Sequence, residues 1–246
     1  MTKSARACYN KHVLNKKIEV FYKYFIEYDG YKVMLEGLKN TLIIAVMGLL
    51  IGSLIGTLIA AVRVMPKYKR LPRILDGFCS VYVSFFRGSP LVVQLLLLYY
   101  VLLPLLNTNL PSVVVAVIVF GLNSGAYISE IMRGGILSVD PGQMEGGRSL
   151  GLGFSISMVK IVIPQAVKNI LPTMGNEFIT LIKETSIVSF IGAVDLYKAF
   201  NNIGTNTYEF MVPYIVMAII YIVLVLIISM LIKLMERSLR KSDRSM

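Results

Sequence analysis

From Gly88 to Ser129 the chain carries no charged residue, and residues 41–62 carry none either. About 20 apolar residues suffice to cross roughly 30 Å of hydrocarbon. Inside lipid only helices or closed barrels satisfy their own backbone groups, and these runs lack the strict alternation of barrel strands. The chain is therefore expected to be all-α, a polytopic transmembrane helix bundle. Composition agrees: 56% of the 246 residues are hydrophobic, against about 45–50% in soluble domains.

Five crossings are expected. Residues 41–62 form the first. The run 88–129 is too long for one crossing, and Pro104, Asn107, Asn109 and Pro111 punctuate its middle. It divides into a helix near 90–106, an outer turn and a helix near 111–132. Before it, the less apolar segment 74–86 reads as a helix lying partly in the membrane interface, stopped by Gly88 and Pro90. A fourth crossing runs from about 165 to 182. Lys183 and Glu184 interrupt it, and a second apolar piece, 186–194, follows. The last covers 210–232. Small residues recur at Gly48, Gly52, Gly56 and Ala60, a face that admits close packing of another helix, from the same chain or from a neighbouring subunit.

Charge sets the orientation. Residues 63–73 hold five Lys or Arg, 133–168 hold four and 233–244 hold five, whereas the outer loops hold only Lys198. The positive segments lie inside. The first forty residues are also rich in Lys and Arg and, read alone, would lie inside too. An odd number of crossings nevertheless puts the N-terminus outside and the C-terminus inside. Residues 1–36 read as a charged extension, too polar for a cleavable signal peptide, followed by a membrane domain over 37–240.

Several chemistries are excluded. The net charge of +11 sits between apolar runs, so it reports topology rather than nucleic-acid binding. Cys8, Cys79 and the single His12 provide no metal or redox spacing. No cofactor motif, catalytic triad or phosphate-binding G-x-x-x-x-G-K-[ST] loop occurs. The chain is expected to perform no covalent chemistry, so ATP-driven work would need a partner ATPase.

The cytoplasmic loop 137–164 is unusually structured for a connection between spans. Asp140 suits an N-cap, Pro141 a first turn, Gln143 the far side of a capping box and Gly151 a C-cap. A short helix of about ten residues follows from this. Ser155 suits the cap of a second short helix ended by Pro164. A docking element needs such order; membrane insertion does not.

Glu145, Gly146 and Gly147, then Arg148-Ser149-Leu150, then Gly151, and nine residues later Ile161, Ile163 and Pro164 resemble the signature loop of permeases from ATP-binding-cassette importers. That family's pattern is Glu-Ala-Ala, three residues, Gly, nine residues, Ile-x-Leu-Pro. The spacing matches; Gly146, Gly147 and Ile163 depart from it, and two extra glycines soften the helix by up to about 1 kcal/mol each. Arg87-Gly88-Ser89-Pro90, the stretch 127–136 (Tyr-Ile-Ser-Glu-Ile-Met-Arg-Gly-Gly-Ile) and Lys183-Glu184-Thr185-Ser186-Ile187 are similar to the polar amino-acid branch, the permeases of histidine, glutamine and arginine type. The resemblance spans roughly residues 35–235. It implies a permease that pairs with a second copy or a close relative in the cell membrane. It also implies a cytosolic ATPase whose cleft receives Glu145, Gly146, Gly147, Arg148 and Gly151, and an extracytoplasmic binding protein that delivers a polar amino acid. Alternatives are an importer of another small polar solute, an ion channel and a non-transporting scaffold subunit.

Ionisable residues within spans are costly and default to function. Glu184, at a polar step, is the leading candidate for contact with a substrate ammonium group, with Thr185 and Ser186 as further substrate-contact candidates; the alternative is an ion pair with Lys183 or a neighbour. Glu177 should face protein or water. Arg87 is expected either to pair with Glu130 or to hold a substrate carboxylate. Asn123 and Gln94 are candidates for substrate contact or for hydrogen bonds between helices.

Overall fold

In a computed structural model, residues 3–68 and 70–241 are described, with side chains over 12–68 and 70–238. Helix α1 (Lys3–Glu27) turns through Asp29, which takes the left-handed conformation, into α2 (Gly30–Val64). At 1.5 Å per residue the 35 residues of α2 reach about 52 Å. That is well beyond the hydrocarbon thickness, so α2 protrudes from the membrane, and the 36/37 boundary read from the sequence falls inside it. Then come α3 (Arg70–Gly88), α4 (Leu91–Leu105), α5 (Ser112–Leu137), α6 (Pro141–Ser149), α7 (Phe154–Ile191), α8 (Leu196–Thr207) and α9 (Met211–Lys241). No strand occurs among the described residues.

The glycine stripe of α2 is spent within the chain. A Cβ added at Gly48 would lie 3.1 Å from Phe120 Cβ, one at Gly52 2.8 Å from Ser124 Cβ, and one at Gly56 2.8 Å from Ile128 Cγ2. Gly121 and Gly125 of α5 reciprocate against Ile51 and Ile55. The paired numbers climb together, so α2 and α5 are parallel. The chain must therefore cross back between them, and α3 and α4 do this as one broken span.

The break is a 103° bend at Ser89–Pro90. Pro90 has no N–H for the Phe86 carbonyl, and lipid offers no substitute donor. Gln94 and Asn123 supply it: Gln94 Nε2 and Asn123 Nδ2 donate to Phe86 O at 2.9 and 3.2 Å, and Asn123 also donates to Gln94 Oε1 at 3.1 Å. The sequence reads 74–86 as a helix stopped by Gly88 and Pro90, and α3 does end at Gly88. It packs on α2 and α5, where the Tyr82 hydroxyl donates to Leu122 O and Val83 packs with Ile59 and Ala126.

Two further expectations change. Pro164 does not end a short helix. The chain widens into a π-turn over Met158–Val162 and continues without a break into Ile163–Glu184, and the wider turn relieves the clash of the proline ring with the preceding turn. The same device precedes Pro104, at Leu98–Leu102. Nor does α7 stop at Lys183-Glu184: it tightens into a 3-10 helix over Thr185–Ile191, ended by Gly192 at φ 78°. Thr185 Oγ1 and Ser186 Oγ donate to the carbonyls of Ile182 and Lys183, three residues back, and these bonds favour the tighter turn.

Between the candidate spans 154–191 and 211–238 lies α8, which was not expected. Asp195 caps it, accepting from the N–H groups of Tyr197 and Lys198 at 3.0 and 2.9 Å. Leu196, Phe200 and Ile203 bury its inner face against Phe21, Tyr24 and Phe25 of α1 and against α9. A Lys17–Glu209 ion pair at 2.9 Å and an Asn206–Tyr24 hydrogen bond at 2.7 Å complete the α1 contact.

Candidate functional site

Helix α7 joins the two regions that the sequence singles out. At its start stands the short helix α6 of the 137–164 loop. The Asp140 side chain accepts from Gly142 N at 2.7 Å, as an N-cap should. Gly151, at φ 85°, ends the helix, with Gly151 N donating to Arg148 O and Leu152 N to Gly147 O. This is the Schellman pattern, and it needs a residue tolerant of positive φ. The capping box does not form: the Gln143 side chain instead accepts from Gln165 Nε2 of α7 at 3.2 Å. Gly147 is buried where a Cβ would lie 2.7 Å from Ile161 Cδ1 and 2.9 Å from Ser157 Oγ. Glycine there lets α6 sit hard against α7, while Gly146 has open space around it. Glu145 and Arg148 face outward, and Leu150 is 84% exposed.

Some thirty residues further along the same helix, about 45 Å away, are Lys183 and Glu184. They point about 100° apart and form no ion pair with each other or with any described residue, so the structure does not contain the pair that the sequence left open. Glu184 is half-buried. Lys183 and Ser186 line a groove of about 510 Å³ between α7, α8 and α9, walled by Tyr197, Tyr221 and Leu226. Thr185 is fully buried, its hydroxyl engaged with the backbone. Two turns below Glu184, Glu177 accepts from the Ser124 hydroxyl of α5 at 3.1 Å, inside protein as expected.

The remaining candidates are placed elsewhere. Asn123 is 5% exposed and holds the α3–α4 corner. Arg87 does not meet Glu130: its guanidinium stands 5.3 Å from the centre of the Tyr127 ring. Glu130 belongs to Arg63 of α2 and to Arg133 of its own helix, and Arg63 and Lys67 also hold Asp76 of α3. Arg87 lies eleven residues beyond Asp76, about 16 Å along α3, too far up the helix to share that cluster.

Asp195 was missed in the sequence. It is fully buried and lies outside the spans, 3.5 Å from the Tyr221 hydroxyl that donates to it. Burial pushes its carboxyl above the usual carboxylate range, although the backbone N–H groups of Lys198 and Tyr197 and the Tyr221 hydroxyl pull it down. An Asp before a Leu-x-x-Ala-Phe-x-x-Ile pattern is a helix start that the sequence does contain.

A bundle of membrane-length helices, with the ordered helix α6 at one end of a span and Lys183 and Glu184 toward its other end, fits a membrane-embedded transport subunit. Residues 48–241 match the family described as the binding-protein-dependent transport system inner membrane component, and the chain belongs to that family. It is similar to the arginine transport system permease protein ArtQ of Bacillus subtilis, 40% identical over 210 residues that cover 85% of this chain and 94% of the relative. It is also similar to the L-cystine transport system permease protein TcyB of the same organism, 36% identical over 196 residues, 79% and 81% of the two chains. Among solved structures, an amino acid ABC transporter crystallised with histidines superimposes with TM-score 0.80 at 40% identity, covering 87% of this chain and 98% of that one. The MetNI methionine transporter in an inward-facing form shares the fold, with TM-score 0.71 at 18% identity. The chain is a multi-pass permease of the ATP-binding-cassette import class.

Proposed function

We propose that this chain moves a polar amino acid inward across the membrane, driven by ATP hydrolysis on a separate cytosolic subunit. One observation carries the reading: a single continuous helix, α7, is clamped to the exposed helix α6 at its cytoplasmic end and bears Lys183 and Glu184 toward the other. A push on α6 from an ATPase cleft, received through Glu145, Gly146, Arg148 and the Gly151 turn and passed on by buried Gly147, moves the charged site as a rigid body. Two copies, or this chain and a close relative, enclose the path, and an extracytoplasmic binding protein delivers solute on the α8 side. The arginine and cystine relatives support amino acids as the substrate class.

At the site, Glu184 is suited to an α-ammonium group and Lys183, with its own direction, to an α-carboxylate. Ser186 lies beside Lys183 in the groove. Thr185 and Asn123 serve the backbone, and Arg87 stands apart. The test is Glu184→Gln in the reconstituted complex with its ATPase and binding protein. Uptake of radiolabelled L-arginine, L-cystine and L-glutamine is measured, taking whichever the wild type transports. The variant should raise the KM for uptake or abolish it while basal ATPase activity and assembly persist. Normal uptake would make Glu184 structural, and failure to assemble would return it to an ion-pair role between subunits.

A further inference from the structure

Between Asn169 and Glu184, α7 keeps every polar side chain on one arc. At 100° per residue, Asn169, Thr173, Asn176, Glu177, Thr180, Lys183 and Glu184 fall within about 120° of one another. All other positions of this segment are Ile, Leu, Pro, Met, Gly or Phe. The apolar arc is the packed one: Ile170, Leu181 and Ile182 are buried, and a Cβ at Gly175 would lie 2.7 Å from Ile232 of α9. On the polar arc Asn169, Thr173 and Asn176 are exposed and Thr180 is half-buried. The row is about 22 Å long, and a face of amides and carboxylates turned to lipid would be costly.

The hydrogen bonds show what such a face offers. Thr173 and Thr180 each donate their hydroxyl proton to a carbonyl of their own helix, Asn169 O at 3.2 Å and Asn176 O at 3.1 Å. Away from the helix those oxygens therefore present only lone pairs. The Asn176 side chain makes no hydrogen bond among the described residues. At the lower end the Asn169 amide donates to Ser138 Oγ at 2.9 Å, beside the connection to α6. The face is rich in acceptors, which suits a solute that carries ammonium hydrogens.

We infer that this arc is the wall along which the solute leaves Glu184 for the cytoplasm, its ammonium group passing Thr180, Asn176, Thr173 and Asn169 in turn. The inference rests on the importer reading above and assigns to α7 a second set of residues, distinct from the Glu184 contact. The test places single cysteines at 169, 173, 176 and 180, and at 171, 174 and 178 on the opposite side. The background is Cys8→Ser, Cys79→Ser, in the complete transporter in proteoliposomes. The probe is 2-(trimethylammonium)ethyl methanethiosulfonate, a water-borne cation. The four polar-arc sites should react at least ten-fold faster than the other three, and modification at 176 or 180 should block uptake. Equal rates on both arcs, or normal uptake after modification at 176 and 180, would overturn the inference. Repeating the scan with Glu184→Gln separates the two claims. A one-sided pattern with unimpaired Glu184→Gln uptake keeps the wall and removes the Glu184 contact. Loss of uptake in Glu184→Gln with even labelling keeps the contact and removes the wall.

Discussion

Replacing Gly52 by alanine tests the contact on which the placement of the site depends. The new methyl would lie 2.8 Å from both Ser124 Cβ and Ser124 Oγ, and 3.0 Å from the backbone nitrogen of Gly125. Ordinary carbon contacts begin near 3.5 Å, so α2 and α5 must part by several tenths of an ångström. The backbone atom cannot swing aside as a side-chain tip could. Overpacking of this kind costs about 1–3 kcal/mol, while alanine in place of glycine returns up to about 1 kcal/mol of helix propensity. With the full return the net is a loss of up to about 2 kcal/mol. Ser124 also holds Glu177, so the displacement reaches α7 directly. Gly77→Ala on α3 is the control, because nothing lies within 4 Å of its added methyl; it should be neutral or slightly stabilising. Thermal aggregation of the purified permease, followed by size-exclusion fluorescence without partner subunits, reads the difference. Because the contact lies within one chain, Gly52→Ala should melt lower even in the isolated subunit. If it melts with Gly77→Ala, the close approach of α2 and α5 is wrong, or the stripe serves a subunit contact instead.

Two other outcomes are expected. Gly151→Val forces a β-branched side chain into a positive φ that it strongly disfavours, so α6 should lose its C-terminal turn. ATPase association and uptake should fall well below half while membrane insertion survives, as read by pull-down and radiolabelled transport; unchanged association would refute the docking role. Single cysteines at Val20 and at Ser238, in a background lacking Cys8 and Cys79, should differ in intact cells toward a membrane-impermeant thiol reagent. Only position 20 should react, and equal protection of both would mean an even number of crossings.

Much of the site was legible locally. Asp140, Pro141 and Gly151 announce α6 because capping depends on groups within a turn or two of each other. Charge-free runs announce the crossings because transfer into lipid sums over some twenty adjacent residues. Asp195 and the apolar spacing after it announce α8 in the same way, although the reading from sequence passed over them. The confinement of the polar residues of α7 to one arc is likewise visible once the segment is taken as helix, since side-chain direction follows from the period alone.

What tertiary structure alone decided were the partners. Nothing near Gly52 in the chain says that Ser124 stands against it, nor that Glu130 meets Arg63 while Arg87 lies over Tyr127. Those contacts depend on the parallel register of α2 and α5 and on where α3 packs against them, and a shift of one helical turn would exchange them. Asn123 is a donor to a carbonyl that Pro90 cannot serve, because a 103° bend brings α4 back beside α5. Composition and spacing act through solvent and through the nearest turns of the helix. Hydrogen bonds and ion pairs act over about 3 Å, between residues that the sequence separates by dozens of positions and only the packed bundle brings together.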